Sequence, residues 1–327
     1  ALRGAFLFET PALSDDIYRY VWDGRVQHHG INPYRFPPQA PEIRHLRDPI
    51  FEGMNNKDIP TIYPPLMQHL FATTTIFSES LLWMKATFTL VDLALIGILM
   101  GLLKLNHESP LRAIIYAWSP LVLVEVAGNG HNDVFALAFL LAALGAILLD
   151  KGTLSICFLS LSGLAKLMGF VLAPLFTRSV RASAWLALPV TCIVISWPYF
   201  GVGFEAFRGL FEFGTRWRAN DGLFHLLVEL TRDLDTAKAV AAGLFAGLMG
   251  LLLLRKTPPV RASYIATGAI LLLSSTVHPW YVLWIVPFLC FYPNPAWLLF
   301  TGTVVLSYHA AFLTPAGTAW TEQTPIK

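Results

Sequence analysis

Charge is scarce in this chain. Asp, Glu, Lys and Arg make up 13% of its 327 residues, while 55% are hydrophobic and the mean hydropathy is +0.56. Soluble domains carry about 25% charged residues, so this chain lacks the polar surface to cover a globule in water. Cysteine is scarcer still. Cys157, Cys192 and Cys290 each sit inside an apolar run, which excludes a disulfide framework or a cysteine metal cage and leaves three small hydrophobes. The 23 basic and 21 acidic residues give a net charge of only +2, so no global field draws in nucleic acid. Also missing are a Walker loop, a dinucleotide-binding glycine fingerprint, a GxSxG elbow and an HExxH motif. Nucleotide-handling and hydrolase chemistry therefore have no support in the sequence.

What the chain has instead is apolar length. Runs at residues 62–77, 81–103, 111–126, 134–149, 154–176, 184–200, 237–254, 262–277, 280–292 and 296–313 read as membrane-spanning or half-spanning segments. The fold class expected is all-α: a polytopic helical membrane protein. Several runs are only 13 to 17 residues long, short of the roughly 20 of an upright span, and such short helices are tolerated where they line a protein-walled cavity. The opening apolar piece, residues 5–8, is too short to span. The expectation is a single transmembrane domain over residues 1–327 whose first helix is absent from the chain.

Orientation follows from basic loops. Segments 104–112, 178–181 and 255–261 carry Lys or Arg and almost no acid. Placing them in the cytoplasm and counting crossings requires 154–176 to go out and back, breaking near Gly163 and Lys166. The polar positions 129–133, Lys166, a second loop at 201–236, and 278–280 then fall on the opposite face. A first large external loop at 14–61, interrupted by prolines, belongs there too, provided 62–77 lies near the interface. Five separated polar segments thus converge on one side of the membrane.

The stretch SDDIYRYVWDGRVQHHGINPY, residues 14–34, is the densest of these. Asp15 and Asp16 after Ser14 make a good helix start. They also supply a carboxylate to deprotonate an attacking hydroxyl and a second to orient an acceptor or bind an ion. Arg19, Arg25 and Arg35 suit bidentate phosphate recognition, or salt bridges to nearby acids at helical spacing. Tyr18, Trp22 and Tyr34 suit sugar faces or an interfacial belt. A second cluster, EVAGNGHND, places Glu125, His131 and Asp133 between two apolar runs, where ionisable groups are costly and default to function. His131 beside two acids is a weak metal signal, without further ligands to complete it. Lys166, alone in SGLAKLMGF, is placed to hold a lipid phosphate. His278 before Pro279, and Arg218 in GTRWRANDG, are further candidates for substrate contact.

Taken together, SDDIYRYVWDGRVQHHGINPY, IYPP at 62–65, EVAGNGHND, the lysine in a broken segment and HPWYVLWIVP resemble the bacterial GT-C membrane glycosyltransferases. The likeness is nearest to the polyprenol-phosphate-mannose-dependent mannosyltransferases and spans almost the whole chain. The resemblance implies a GT-C fold with a catalytic carboxylate in the first external loop, Asp15 or Asp16 by position. It implies inverting transfer of a hexose, mannose first, from a polyprenyl-phosphate donor to a lipid or glycan acceptor. It further implies no metal and no cofactor, and a bacterial inner or plasma membrane with the site facing the periplasm or exterior. Partners would be the lipid-linked donor, the acceptor and membrane lipids, with no nucleic acid. Two rivals remain: a flippase of lipid-linked sugars, which buried charge and broken helices also suit, and a non-catalytic subunit of the same shape. Against the first, the two halves show no convincing repeat.

Overall fold

The computed structural model describes residues 2–308, and its regular elements are helical apart from one short bridge between Ala219 and Thr276. The helices used below are α1 (Leu2–Leu7), α2 (Asp16–His28), α3 (Pro65–Phe77), α4 (Leu81–Leu105), α5 (Asp133–Leu148), α6 (Gly152–Ala165), α7 (Leu234–Leu254) and α8 (Pro259–Leu273).

Among the described residues three helical stretches are long and apolar enough to cross a bilayer: α4, Ala182–Thr215 and α7. A fourth is possible if Pro110–Ala117 and Pro120–Gly128, bent by 57° at Ser119, act as one broken span. These apolar helices make the chain an integral membrane protein. The other apolar runs are shorter helices than a full span, α5, α6 and α8 among them. Prolines explain part of this. Pro279, Pro287 and Pro295 each remove a backbone donor and restart the chain as a new short turn.

The core is built on α5 and α6, an antiparallel pair joined by a tight turn in which Asp150 takes a left-handed conformation (φ 56°). Helix α4 packs along α5. At Lys166 the backbone turns extended (φ −156°, ψ 126°), and Met168–Leu172 folds back onto α6. The break falls at the lysine, where the basic-loop count requires it.

Within the expected loop 14–61, the helix start read at Asp15 and Asp16 opens a buried helix over residues 16–28. Helix α2 lies against α3, with Tyr20 stacked on Phe71 at 4.7 Å. Gly24 allows this approach, since a Cβ there would fall 2.7 Å from the Phe71 carbonyl oxygen. Residues 35–61 then wrap the outer side of α2, burying Trp22 and Val26 with Ile43, Leu46, Phe51 and Met54. Residues 201–236 also differ from the expected loop. Helical turns continue from residue 201 to 216, and Gly222–Thr231 forms a further helix.

Two charges inside α4 go beyond the sequence reading. Asp92, fully buried, accepts from Arg3 Nε and from the Tyr116 hydroxyl at 2.7 Å. Lys85 donates to the carbonyl oxygens of Phe6 at 3.0 Å and Glu9 at 2.5 Å, past the end of α1. A cation there complements the carbonyl end of a helix. The two residues stand seven apart, on one face of α4, and clamp α1 beneath the site.

Candidate active site

One cavity of about 840 Å³ brings the expected polar segments together. One wall comes from residues 11–19, with Asp15, Asp16, Tyr18 and Arg19. Residues 52–64 add Asn55, Lys57 and Tyr63. Lys166, Trp217, His278, Trp280, Tyr281 and Trp284 complete the lining.

Asp15 immediately precedes α2, and its Oδ1 accepts from the Asn55 amide at 2.6 Å. Burial pushes its carboxyl up to about 6, against the pull of its own backbone amide, the Asn55 hydrogen bond and the charge of Lys57. Asp16, the first residue of α2, also lines the cavity, and its Oδ2 stands 3.8 Å from His131 Nδ1.

The lysine side of the cavity is organised by a residue underneath it. Asp133, fully buried, bonds Lys166 Nζ at 2.7 Å through Oδ2 and accepts from Trp284 Nε1 at 2.6 Å through Oδ1. Lys166 Nζ lies 4.8 Å from the centre of the Tyr281 ring, which stacks on Trp284. Trp280 is sandwiched between His131 at 4.1 Å and His278 at 4.4 Å, both rings nearly parallel to it. Burial and nearby Lys166 hold both imidazoles below their ordinary pKa, His278 at about 3, so both are neutral near pH 7.

The structure therefore brings Asp15, Asp16, Tyr18, Arg19, Lys166 and His278 to one cavity and sets Asp133 and His131 directly behind it. Arg19 is committed, though: its Nε bonds Asp23 at 2.8 Å and a second nitrogen bonds the Ile59 carbonyl, while Asp23 also accepts from Gln68. Others lie elsewhere. Arg25 bonds Asp48 at 2.6 Å and Glu79 at 2.7 Å, away from the cavity lining. Trp22 is enclosed in the outer hydrophobic cluster, and Tyr34 donates to the Tyr63 carbonyl at 2.7 Å and meets Tyr199 edge-on. Arg218 pairs with Asp221 and lies over Phe224. Glu125 is fully buried, held by Asn129 and Tyr308. The i, i+4 acid–arginine pairing weighed from the sequence is thus realised at Arg19 with Asp23.

Asn55, Lys57 and Trp284 are cavity residues that the sequence reading passed over. Their segments offered only a polar triplet inside a proline-rich stretch and a tryptophan one helical turn after Trp280. Among the described residues no group of three or more His, Cys, Asp or Glu is gathered to hold a metal ion.

Two family models match the chain. One, described as alpha-(1→6)-mannopyranosyltransferase, N-terminal domain, matches residues 5–182; the other, described as MptB C-terminal domain, matches residues 222–326. Neither a curated protein nor a solved structure matches. The first model covers all the segments that carry Asp15, Asp16, His131, Asp133 and Lys166.

Proposed function

Since the chain belongs to the alpha-(1→6)-mannopyranosyltransferase family of enzymes, we propose that the cavity between α2 and Lys166 is where it transfers mannose from a polyprenyl-phosphate donor to the 6-hydroxyl of a lipid- or glycan-borne acceptor. The observation that carries this reading is that Asp15 and Asp16 line the same cavity, of about 840 Å³, as Lys166 and the stacked rings of Tyr281 and Trp284. In a GT-C arrangement the two aspartates belong to the first external loop, and the site opens on the periplasmic or exterior face, all within one transmembrane unit.

The reaction needs few parts. One carboxylate takes the proton of the acceptor hydroxyl as its oxygen attacks the anomeric carbon. The glycosidic C–O bond breaks, and its electron pair leaves on the phosphate oxygen. A polyprenyl phosphate is a weak base, so no general acid has to protonate it. Direct attack inverts the anomeric centre, so an α-linked product requires a β-linked donor. Lys166, with one of its three N–H bonds on Asp133, and Lys57 are the cations that line the cavity near the leaving group's expected place. Tyr281, Trp284 and Trp217 offer ring faces to the sugars.

The test is labelled-mannose transfer by the purified chain in lipid nanodiscs, with polyprenyl-phosphate-mannose or a nucleoside-diphosphate-mannose as donor and a short α-mannoside acceptor. Transfer from the lipid donor alone supports the reading. Transfer from the nucleotide sugar alone, or from neither, overturns it.

A further inference from the structure

Behind Asp16 runs a chain of side chains that the transfer reading leaves unused. Glu125 Oε1 accepts from the Tyr308 hydroxyl at 2.9 Å, and Oε2 accepts from the Asn129 amide at 3.0 Å. The same Oε2 lies 3.4 Å from His131 Nε2, an atom that has no hydrogen-bond partner among the described residues. The other ring nitrogen, Nδ1, lies 3.8 Å from Asp16 Oδ2 at the cavity wall. The ring is held in this pose. One face stacks on Trp280, and the His131 backbone N–H donates to the Glu125 carbonyl at 2.8 Å. The turn itself depends on Gly130, whose φ of +76° suits glycine and whose missing Cβ leaves room for Ile17 of α2.

We propose that His131, oriented by Glu125, is a positioning residue that receives the proton Asp16 takes from the acceptor hydroxyl, which makes Asp16 rather than Asp15 the base. This rests on the mannosyl-transfer reading above. The neutral imidazole with its proton on Nε2 sends that N–H toward Glu125 and leaves the Nδ1 lone pair facing Asp16. As the acceptor oxygen bonds to the anomeric carbon and the phosphate leaves with its electron pair, the hydroxyl proton passes to Asp16 and on to Nδ1. The resulting imidazolium lies between the Asp16 carboxylate and the Glu125 side chain. A base backed by a second, oriented group follows the logic of catalytic triads. Such contacts are commonly long without substrate and tighten in the loaded complex, so 3.8 Å is within reach.

The charges around the ring set what each partner does. Asp16 of α2 and Glu125 of the bent span favour the imidazolium. Lys166, after α6, and His278, before the Pro279–Trp284 turn, oppose it. Without Glu125, the balance around His131 tips against proton uptake. Asp15 has no such partner behind it; its carboxylate is held by Asn55, which suits orientation of the acceptor.

The experiment is kcat and KM against pH for wild type, His131→Phe and Glu125→Gln, with polyprenyl-phosphate-mannose as donor. His131→Phe keeps an aromatic face for Trp280 and removes both nitrogens; Glu125→Gln keeps one acceptor oxygen and replaces the other with an amide NH2, so no carboxylate can form. The expected result is a kcat loss of about 100-fold or more for His131→Phe, with KM within about threefold. Glu125→Gln is expected to lose about tenfold in kcat, again with KM within about threefold. Unchanged kcat in both variants, or a loss carried by KM, overturns the proposal while leaving the transfer reading intact. If His131→Phe does not fold, Glu125→Gln decides on the same criteria. A wild type that transfers nothing from the lipid donor removes the transfer reading, and this proposal with it.

Discussion

Lys166 Nζ and Asp133 Oδ2 meet at 2.7 Å across two helices, so the lysine at the break after α6 is anchored to the first turn of α5. The pair positions the cavity's cation from below, and Trp284 uses the other oxygen of the same carboxylate. Removing one partner of a buried pair strands the other and costs about 3–5 kcal/mol. Asp133→Asn is therefore expected to lower thermal stability in detergent strongly. The double variant Asp133→Asn with Lys166→Met is expected to recover part of the loss. Strictly additive single and double effects would show that the two are not coupled.

Arg25 gives the converse expectation. Its guanidinium is held by Asp48 and Glu79 outside the cavity lining, so Arg25→Ala should leave donor KM within about twofold while lowering stability by roughly 1 kcal/mol. A rise in donor KM of about tenfold or more, about 1.4 kcal/mol of binding, would place this arginine on the phosphate after all.

The pH dependence of the reaction should report Asp15. Its carboxyl sits at about 6, and only the ionised form offers both oxygens as acceptors, one to Asn55 and the other to the acceptor hydroxyl. kcat/KM is therefore expected to fall as pH drops through about 6. Asn55 stabilises the carboxylate, so Asn55→Ala should raise the Asp15 pKa and move this acid limb to higher pH, by about one unit. A limb that stays in place, or moves to lower pH, would contradict the assignment.

Much of this site was legible in the sequence because its ionisable groups stand out in an apolar chain. Asp15, Asp16, Lys166, His278, His131 and Asp133 were all singled out by that contrast, and the structure gathers them in or behind one cavity. What the sequence hid was which side of a helix each residue faces. A helix start was legible at Asp15 and Asp16, but not which sides α2 would turn inward and outward. Asp16 and Arg19 stand on the cavity side, and Trp22 and Arg25 turn to the outer cover of residues 35–61. That partition depends on α3 and the cover packing around α2, which no local pattern announces. Asn55 was hidden for another reason. It reaches Asp15 across 40 residues of chain, and nothing near it in sequence signals the contact.

The same contrast argument exposes α4. Asp92 stands fully buried in a bilayer-length helix, satisfied by Arg3 and Tyr116. Asp92→Ala is expected to lower stability by about 3–5 kcal/mol and to loosen α1, measured as faster amide exchange over residues 2–7. Unchanged exchange there would show that α1 is held by its apolar contacts alone.

The central claim is that a carboxylate at the head of α2 performs mannosyl transfer, and Asp15→Asn and Asp16→Asn assayed beside wild type with polyprenyl-phosphate-mannose test it most directly. The account predicts transfer by wild type, a loss of about 1,000-fold in kcat for folded Asp16→Asn, and a smaller loss for Asp15→Asn. Equal turnover by all three would contradict it.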